Sequence, residues 1–151
     1  MRARKSAVEK RDSAPPPEVK YVSSSKSKAY PVGNMLIASP RELEAVIRQI
    51  PAGAVMTLSA LRDHLARRWQ ADYTCALTTG IFLRMVAEAA EQEGSGVAYW
   101  RVVRADGRLV ATLPGGETGQ AERLKAEGVR CITTGKQGRR VADLLAVAWH
   151  P

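Results

Sequence analysis

Cysteine and histidine are nearly absent from this 151-residue chain, with two of each. Cys75 and Cys131 form no CxxC pair and have no histidine at ligand spacing, so neither a disulfide scaffold nor a zinc site is expected. His64 and His150 are equally isolated, and no motif asks for a metal or a cofactor. Long apolar runs are also missing. Every one is broken by Arg, Glu or Gly well before the roughly 18 residues a membrane span needs, and the first residues lack the apolar core of a signal peptide. The expectation is a protein with no membrane partner, cytoplasmic and, in a bacterium, nucleoid-associated.

What is present is an aliphatic, basic chain. Hydrophobic residues make up 45% of it, enough for one small globular domain with a genuine core. The net charge is +8, and residues 1–34 alone contribute +5 of it. That stretch is rich in Ser, Pro and Lys and poor in large apolar residues, so it is expected to be a disordered basic arm unable to offset its own ordering entropy. Two roles stand for it: raising nonspecific affinity for nucleic acid by counterion release, or solubilising the domain.

The folded part is expected to open at Ser39. "SPRE" supplies an N-cap, a proline at the first helical position and a Glu three residues after the cap, and Leu43, Val46, Ile47 and Ile50 follow at helical spacing before Pro51. Thr57 caps a second helix with Leu58, Leu61 and Leu65 on one stripe and Arg62, Arg67 and Arg68 elsewhere on its surface. Residues 70–78 read as a loop, and Thr79 as the cap of a third helix with Phe82, Met85, Val86 and Ala89 on one face. Asp106-Gly107 between "RVV" and "RLV" is a hairpin-turn signal. A fourth helix ends near Gly128, and a fifth carries Val141, Leu144, Leu145 and Ala148. The fold class is therefore mainly α with a small β-hairpin: a winged helix-turn-helix-like domain plus C-terminal helices, divided as 1–34, 35–130 and 131–151. In such a domain the third helix enters a DNA groove.

Four short motifs then fall in a telling order: "IPAGAVMTLSAL" from Ile50, "RVVRADGRLV" from Arg101, "PGG" from Pro114 and "RLKAEGV" from Arg123. Together they resemble the C-terminal DNA-binding domain of the O6-alkylguanine-DNA alkyltransferase family over residues 39–130. That family includes alkyltransferase-like proteins, which share the fold, lack the reactive cysteine and bind alkylated DNA. The resemblance implies a winged helix-turn-helix that enters the minor groove and rotates a damaged guanine into a pocket.

The family's active segment reads Pro-Cys-His-Arg-Val. Setting its arginine on Arg101 puts Ala98 at the proline, Tyr99 at the cysteine and Trp100 at the histidine. Alkyl transfer needs a thiolate and a neighbouring base, and neither phenol nor indole substitutes, so no catalytic residue is expected. Cys75 is far in sequence from this segment and reads, like Cys131, as a small buried hydrophobe. Glu127 matches the carboxylate that would orient the missing histidine. Other positions also depart from the family. Its phosphate-pressing tyrosine falls at Leu58, and its base-contacting Tyr-Ser at Leu113 and Pro114, ahead of Gly115. Its intercalating arginine should stand among Thr78, Thr79, Gly80 and Ile81, whereas Arg84 comes one turn later.

The expected DNA contacts are thus Leu58, Arg62, Arg67, Arg68, Thr78, Thr79 and Arg84, and the expected base pocket is Tyr99, Trp100, Arg101, Pro114 and Gly115. Tyr99 and Trp100 read either as a stacking surface for a base or as hairpin core. Arg101 reads first as a structural salt bridge or backbone hydrogen bond and second as a phosphate contact. The function expected is non-catalytic binding of duplex DNA, alkylated DNA included, with a repair protein as a further partner. The alternative is a protein-interaction module on a degenerate alkyltransferase fold, suggested by the apolar Leu58, Ile81 and Leu83.

Overall fold

A computed structural model describes residues 3–25 and 27–151 of the chain. Its elements are α1 (Ala7–Ser13), β1 (Glu18–Val22), β2 (Gly33–Ile37), α2 (Pro40–Ile47), β3 (Met56–Thr57), α3 (Leu58–Arg68), β4 (Tyr73–Thr74), α4 (Ala76–Glu93), β5 (Val102–Val103), α5 (Gly116–Ala126), β6 (Cys131–Thr133), β7 (Arg139–Val141) and α6 (Leu144–Val147). Short 3-10 turns occupy Tyr99–Arg101 and Gly135–Gln137. The fold is mainly α with small sheets, and α3 and α4 form its helix-turn-helix-like pair.

Two of the three helix starts read from side-chain caps hold. Ser39 Oγ accepts from the Glu42 N–H at 3.3 Å, and Thr57 Oγ1 accepts from the Ala60 N–H at 3.1 Å, each satisfying a donor the first turn cannot pair. Leu43, Val46 and Ile47 of α2, Leu61 and Leu65 of α3, and Leu83, Val86 and Ala87 of α4 meet in one core with Tyr99 and Val102. A second core under α5 joins Val55, Val103, Leu109, Leu124, Val129 and Val141.

Four expectations are corrected. The third helix begins at Ala76, three residues before Thr79, and β4 lies in the predicted loop, paired parallel with β2. Thr79 is no cap: it is buried in the first turn, its hydroxyl donating to the Cys75 carbonyl at 2.7 Å. The wing is not a simple hairpin. The Asp106-Gly107 turn forms, with the Arg104 N–H donating to the Arg108 carbonyl at 2.9 Å, but β5 pairs parallel with β3 while Arg108 bridges to Arg140. The fifth helix shrinks to four residues, since Val141 is spent in β7 and Leu145 is 93% exposed. Residues 147–149 instead run beside Val55, whose N–H and C=O both bond to them.

The described part of residues 1–34 is likewise not a free arm. "SAVE" is a capping box: Ser6 Oγ accepts from the Glu9 N–H and the Glu9 carboxylate accepts from the Ser6 N–H. The helix it starts buries Arg11, which pairs with Asp12, Glu44 and Glu93. β1 then pairs antiparallel along β2 from Glu18↔Ile37 to Val22↔Gly33. Ion pairs and a backbone ladder hold this polar segment against the domain.

Candidate functional site

The segment after α4 is built around Tyr99. Gly94 ends α4 in the left-handed conformation (φ 62°), a geometry a side chain resists, and the chain turns back into the 3-10 turn that carries Tyr99, Trp100 and Arg101. Tyr99 is 2% exposed, and its hydroxyl donates to Glu91 Oε1 at 2.6 Å. Burial and that bond push its pKa up to about 12, so the phenol is protonated and unreactive at neutral pH. Trp100 stands edge-on to it, ring centroids 5.4 Å apart.

Beneath them Glu127 gathers four donor groups from three residues. Trp100 Nε1 donates at 3.0 Å, Arg101 donates through Nε and Nη2 with the shorter contact at 2.7 Å, and the Gly53 N–H lies at 3.4 Å. Burial raises the Glu127 pKa, but the Arg101 and Trp100 hydrogen bonds and the Arg101 charge together outweigh it and hold the carboxyl below its ordinary value. Arg101 also donates to the Ile50 carbonyl at 2.6 Å. Its guanidinium is thus committed to the protein, which is the salt-bridge reading, and it has little left for a phosphate.

Gln120 was not read from the sequence. It is 1% exposed, with Oε1 accepting from the Val110 N–H at 2.7 Å and Nε2 donating to the Trp100 and Val102 carbonyls at 3.0 and 2.8 Å. It ties both ends of the wing to α5. Arg123 was also missed. It pairs with Glu91 at 2.8 Å and lies 4.5 Å from the Trp100 ring centroid, so it covers the indole face. Its position four residues before Glu127, on the same side of α5, was the available signal.

Two clefts flank this Arg123–Glu91 pair. One, of about 310 Å³, is lined by Tyr99, Pro114, Gly115, Gly119, Glu122 and the pair itself; the other, of about 240 Å³, includes Val97 and Trp100. The structure therefore brings Tyr99, Trp100, Arg101, Pro114 and Gly115 into one neighbourhood, but Tyr99 is core and Arg101 is structural. Gly115 has φ 82°, and a Cβ there would lie 3.3 Å from Gly119 Cα, so the approach of this loop to α5 depends on its lacking one. Cys75 lines neither cleft and is 4% exposed at the head of α4, where burial raises its pKa but hydrogen bonds involving Thr78 and Tyr30 bring it net below the ordinary value. Among the described residues no group of three potential metal-ligating side chains occurs.

The expected DNA contacts divide. Arg67 and Arg68 are exposed on α3, and Arg62 is half-buried beside a cleft of about 310 Å³ shared with Lys28, Tyr73 and Ala76. Arg68 makes a long 3.7 Å pair with Glu42. Burial first, and then the charges of Arg67 and Arg68, lower the His64 pKa. Leu58 is half-buried against the core, Thr78 donates to the Cys75 carbonyl at 3.4 Å, and Thr79 is inaccessible. Along the outer face of α4 stand Leu77 and Ile81, 63% and 51% exposed, followed by Arg84 paired with Glu88 at 2.8 Å. Leu83 points inward and is buried.

A helix-turn-helix-like domain whose wing is tied down by Gln120 and Glu127 defines the architectural class, and comparison places it. The fold is the alkyltransferase-like one. S. pombe ATL, solved in complex with DNA, is 23% identical and matches with a TM-score of 0.52 over 74% of this chain and 94% of that one. S. pombe Atl1 in complex with damaged DNA containing O6-carboxymethylguanine is also similar, at 23% identity over the same shares and a TM-score of 0.48. No protein-family model matches the chain, and no curated protein sequence does.

Proposed function

We propose that the protein binds duplex DNA, alkylated DNA included, without performing alkyl transfer. The observation that carries this is the buried, protonated Tyr99 and the Glu127-bound Trp100, standing where the resembling family keeps its cysteine and histidine, on a fold shared with S. pombe ATL in complex with DNA. A phenol with its pKa near 12 cannot act as the nucleophile, and the indole N–H is a donor with no basic lone pair. Residues 35–130 would form the DNA-binding unit and 131–151 its extension. Arg62, Arg67 and Arg68 of α3 would neutralise phosphates, and the first turns of α4 would lie in the groove. The protein would be cytoplasmic and hand bound lesions to a repair protein.

Base flipping costs a few kcal/mol, normally recovered by an inserted side chain and pocket contacts. Here the stacking face of Trp100 is covered by Arg123, so a flipped base would have to displace Arg123 from both Trp100 and Glu91. Lesion recognition is therefore the costlier half of the proposal. Fluorescence anisotropy on matched duplexes with and without one O6-methylguanine, at two salt concentrations, tests both halves. Salt-steep binding to both duplexes supports DNA binding, and tighter binding of the lesion, lost in Trp100→Ala, supports damage sensing. Weak, salt-insensitive binding to every duplex overturns the reading.

The exposed Leu77 and Ile81, with the nearby Arg84 neutralised by Glu88, favour a second reading: a protein-interaction module that has exchanged its DNA face for an apolar one.

A further inference from the structure

A further cleft, between α5 and β6, borders the wing-base cleft through Glu122, which lines both. It measures about 620 Å³. Its helical wall is Thr118, Ala121, Glu122 and Lys125, spaced as one face of α5, and its other wall is β6 itself, Cys131, Ile132 and Thr133, with Arg130 and Arg139 at the margins.

The hydrogen-bond pattern of β6 gives the cleft a chemistry. The Ala142 N–H donates to the Arg130 carbonyl and the Thr134 N–H to the Gly138 carbonyl, both at 2.9 Å, in the register Ile132↔Arg140. Hydrogen-bonded positions alternate along an antiparallel pair, so residues 130, 132 and 134 face β7, while Cys131 and Thr133 turn their N–H and C=O groups to the outer edge. Among the described residues nothing bonds to those four groups. The far edge of β7 is closed by contrast: Leu109 donates to the Arg139 carbonyl, Val141 to the Gly107 carbonyl, and the Arg139 N–H to Glu117. This small sheet thus has one satisfied edge and one open edge, and the open edge forms a wall of the cleft.

We infer that the α5–β6 cleft is a docking groove for an extended acidic segment of a partner protein, which adds to β6 as a further strand. Open sheet edges recruit strands in this way, with main-chain bonds giving affinity and flanking side chains giving specificity. The charge selects the partner. Lys125, Arg130 and Arg139 stand against the single acidic residue Glu122, and none of the three basic groups is engaged in an ion pair among the described residues. Ile132, 40% exposed, offers an apolar contact for an alternate side chain of the guest. A nucleic-acid backbone fits less well: its phosphates and sugars accept hydrogen bonds but present no regular series of donors for the Cys131 and Thr133 carbonyls, whereas a peptide supplies both. The groove shares no lining residue with the proposed DNA contacts on α3 and α4.

The test is a titration of the full chain with fluorescein-labelled octapeptides alternating Glu or Asp with Val, Thr or Ile. A matched set is N-methylated at alternate amides, which removes the main-chain donors without changing charge. Binding is expected, weakened about tenfold by N-methylation, by Arg130→Glu and by replacing the acidic residues of the peptide with Lys. Thr133→Pro removes one outward N–H while sparing the ladder to β7, and it should weaken binding with the melting temperature unchanged. Three results would overturn the inference: no binding of any peptide at about millimolar concentration, binding indifferent to N-methylation, or full displacement by a single-stranded oligo-dT. The last would assign the groove to phosphates.

Discussion

The wing base and the head of α4 differ in how their polar groups are satisfied. Around Tyr99–Arg101 every buried side-chain donor and acceptor has a partner: Glu91 takes the phenol, Glu127 takes Trp100 and Arg101, and Gln120 bridges three backbone groups. At the head of α4 no side chain caps the helix, and Leu77 and Ile81 project from it. A closed polar network holds one geometry, whereas solvated side chains keep their rotamer freedom. The Tyr99–Arg101 segment is thus structural, while the head of α4 presents apolar side chains to solvent.

Removing Glu127 should break that contrast most severely. Glu127→Ala leaves Arg101 partly buried without its counter-charge and strands the Trp100 N–H, and the expected loss is about 3 kcal/mol by urea denaturation. A stability unchanged within about 0.5 kcal/mol would mean the network is ornamental. The same carboxylate makes a pH prediction. Its folded pKa is held below the ordinary value, so its contribution is present above the unfolded pKa and is lost as pH falls through the folded one. Glu127→Gln should flatten this acid limb of the stability curve.

Next in size, Gln120→Leu should cost about 2 kcal/mol, because it leaves the Val110 N–H and the Trp100 and Val102 carbonyls unpaired in the core. Amide exchange at Val110 should accelerate more than exchange in α2. Tyr99→Phe should cost about 1 kcal/mol at neutral pH through the lost bond to Glu91. In wild type the folded pKa of Tyr99, about 12, lies above the ordinary value of 10.0, so stability should fall between those two pH values as the unfolded state ionises first. Tyr99→Phe should remove this alkaline loss, and its persistence would place the titrating group elsewhere.

The smallest effect on stability belongs to the open side. Leu77→Glu with Ile81→Glu should leave unfolding within about 0.5 kcal/mol of wild type, since both side chains are solvated. If α4 meets DNA, duplex affinity should fall by about tenfold or more, each like charge facing the phosphates. Unchanged affinity would instead sharpen the protein-interaction reading.

Elements with a chemical start signal were legible in the chain. Ser39-Pro40 and Thr57 mark helix starts through a side-chain oxygen, and Asp106-Gly107 marks a turn, each a local interaction. Thr79 misled because its hydroxyl satisfies a carbonyl within the helix instead of an N–H at its start. The wing misled because its two arms find partners 46 residues upstream at β3 and 32 residues downstream at Arg140, and no local pattern announces a nonlocal pairing. "SAVE" was a legible capping box hidden within a polar composition. At the site, Tyr99 and Trp100 were legible as an aromatic pair that is either a stacking surface or core, and Tyr99 is core. The shielding of the indole by Arg123, and the commitment of Arg101 to Glu127 and Ile50, depend on tertiary contacts that spacing does not encode.

The central claim, that DNA is held through the basic surface of α3, is tested most directly by the salt dependence of duplex binding for wild type and Arg62→Ser/Arg67→Ser/Arg68→Ser. Each phosphate contact contributes about 0.9 to the slope of log K against log salt, so the triple variant should bind more weakly with its slope reduced by about 2 to 3. Identical affinity and slope in the two proteins would contradict the account.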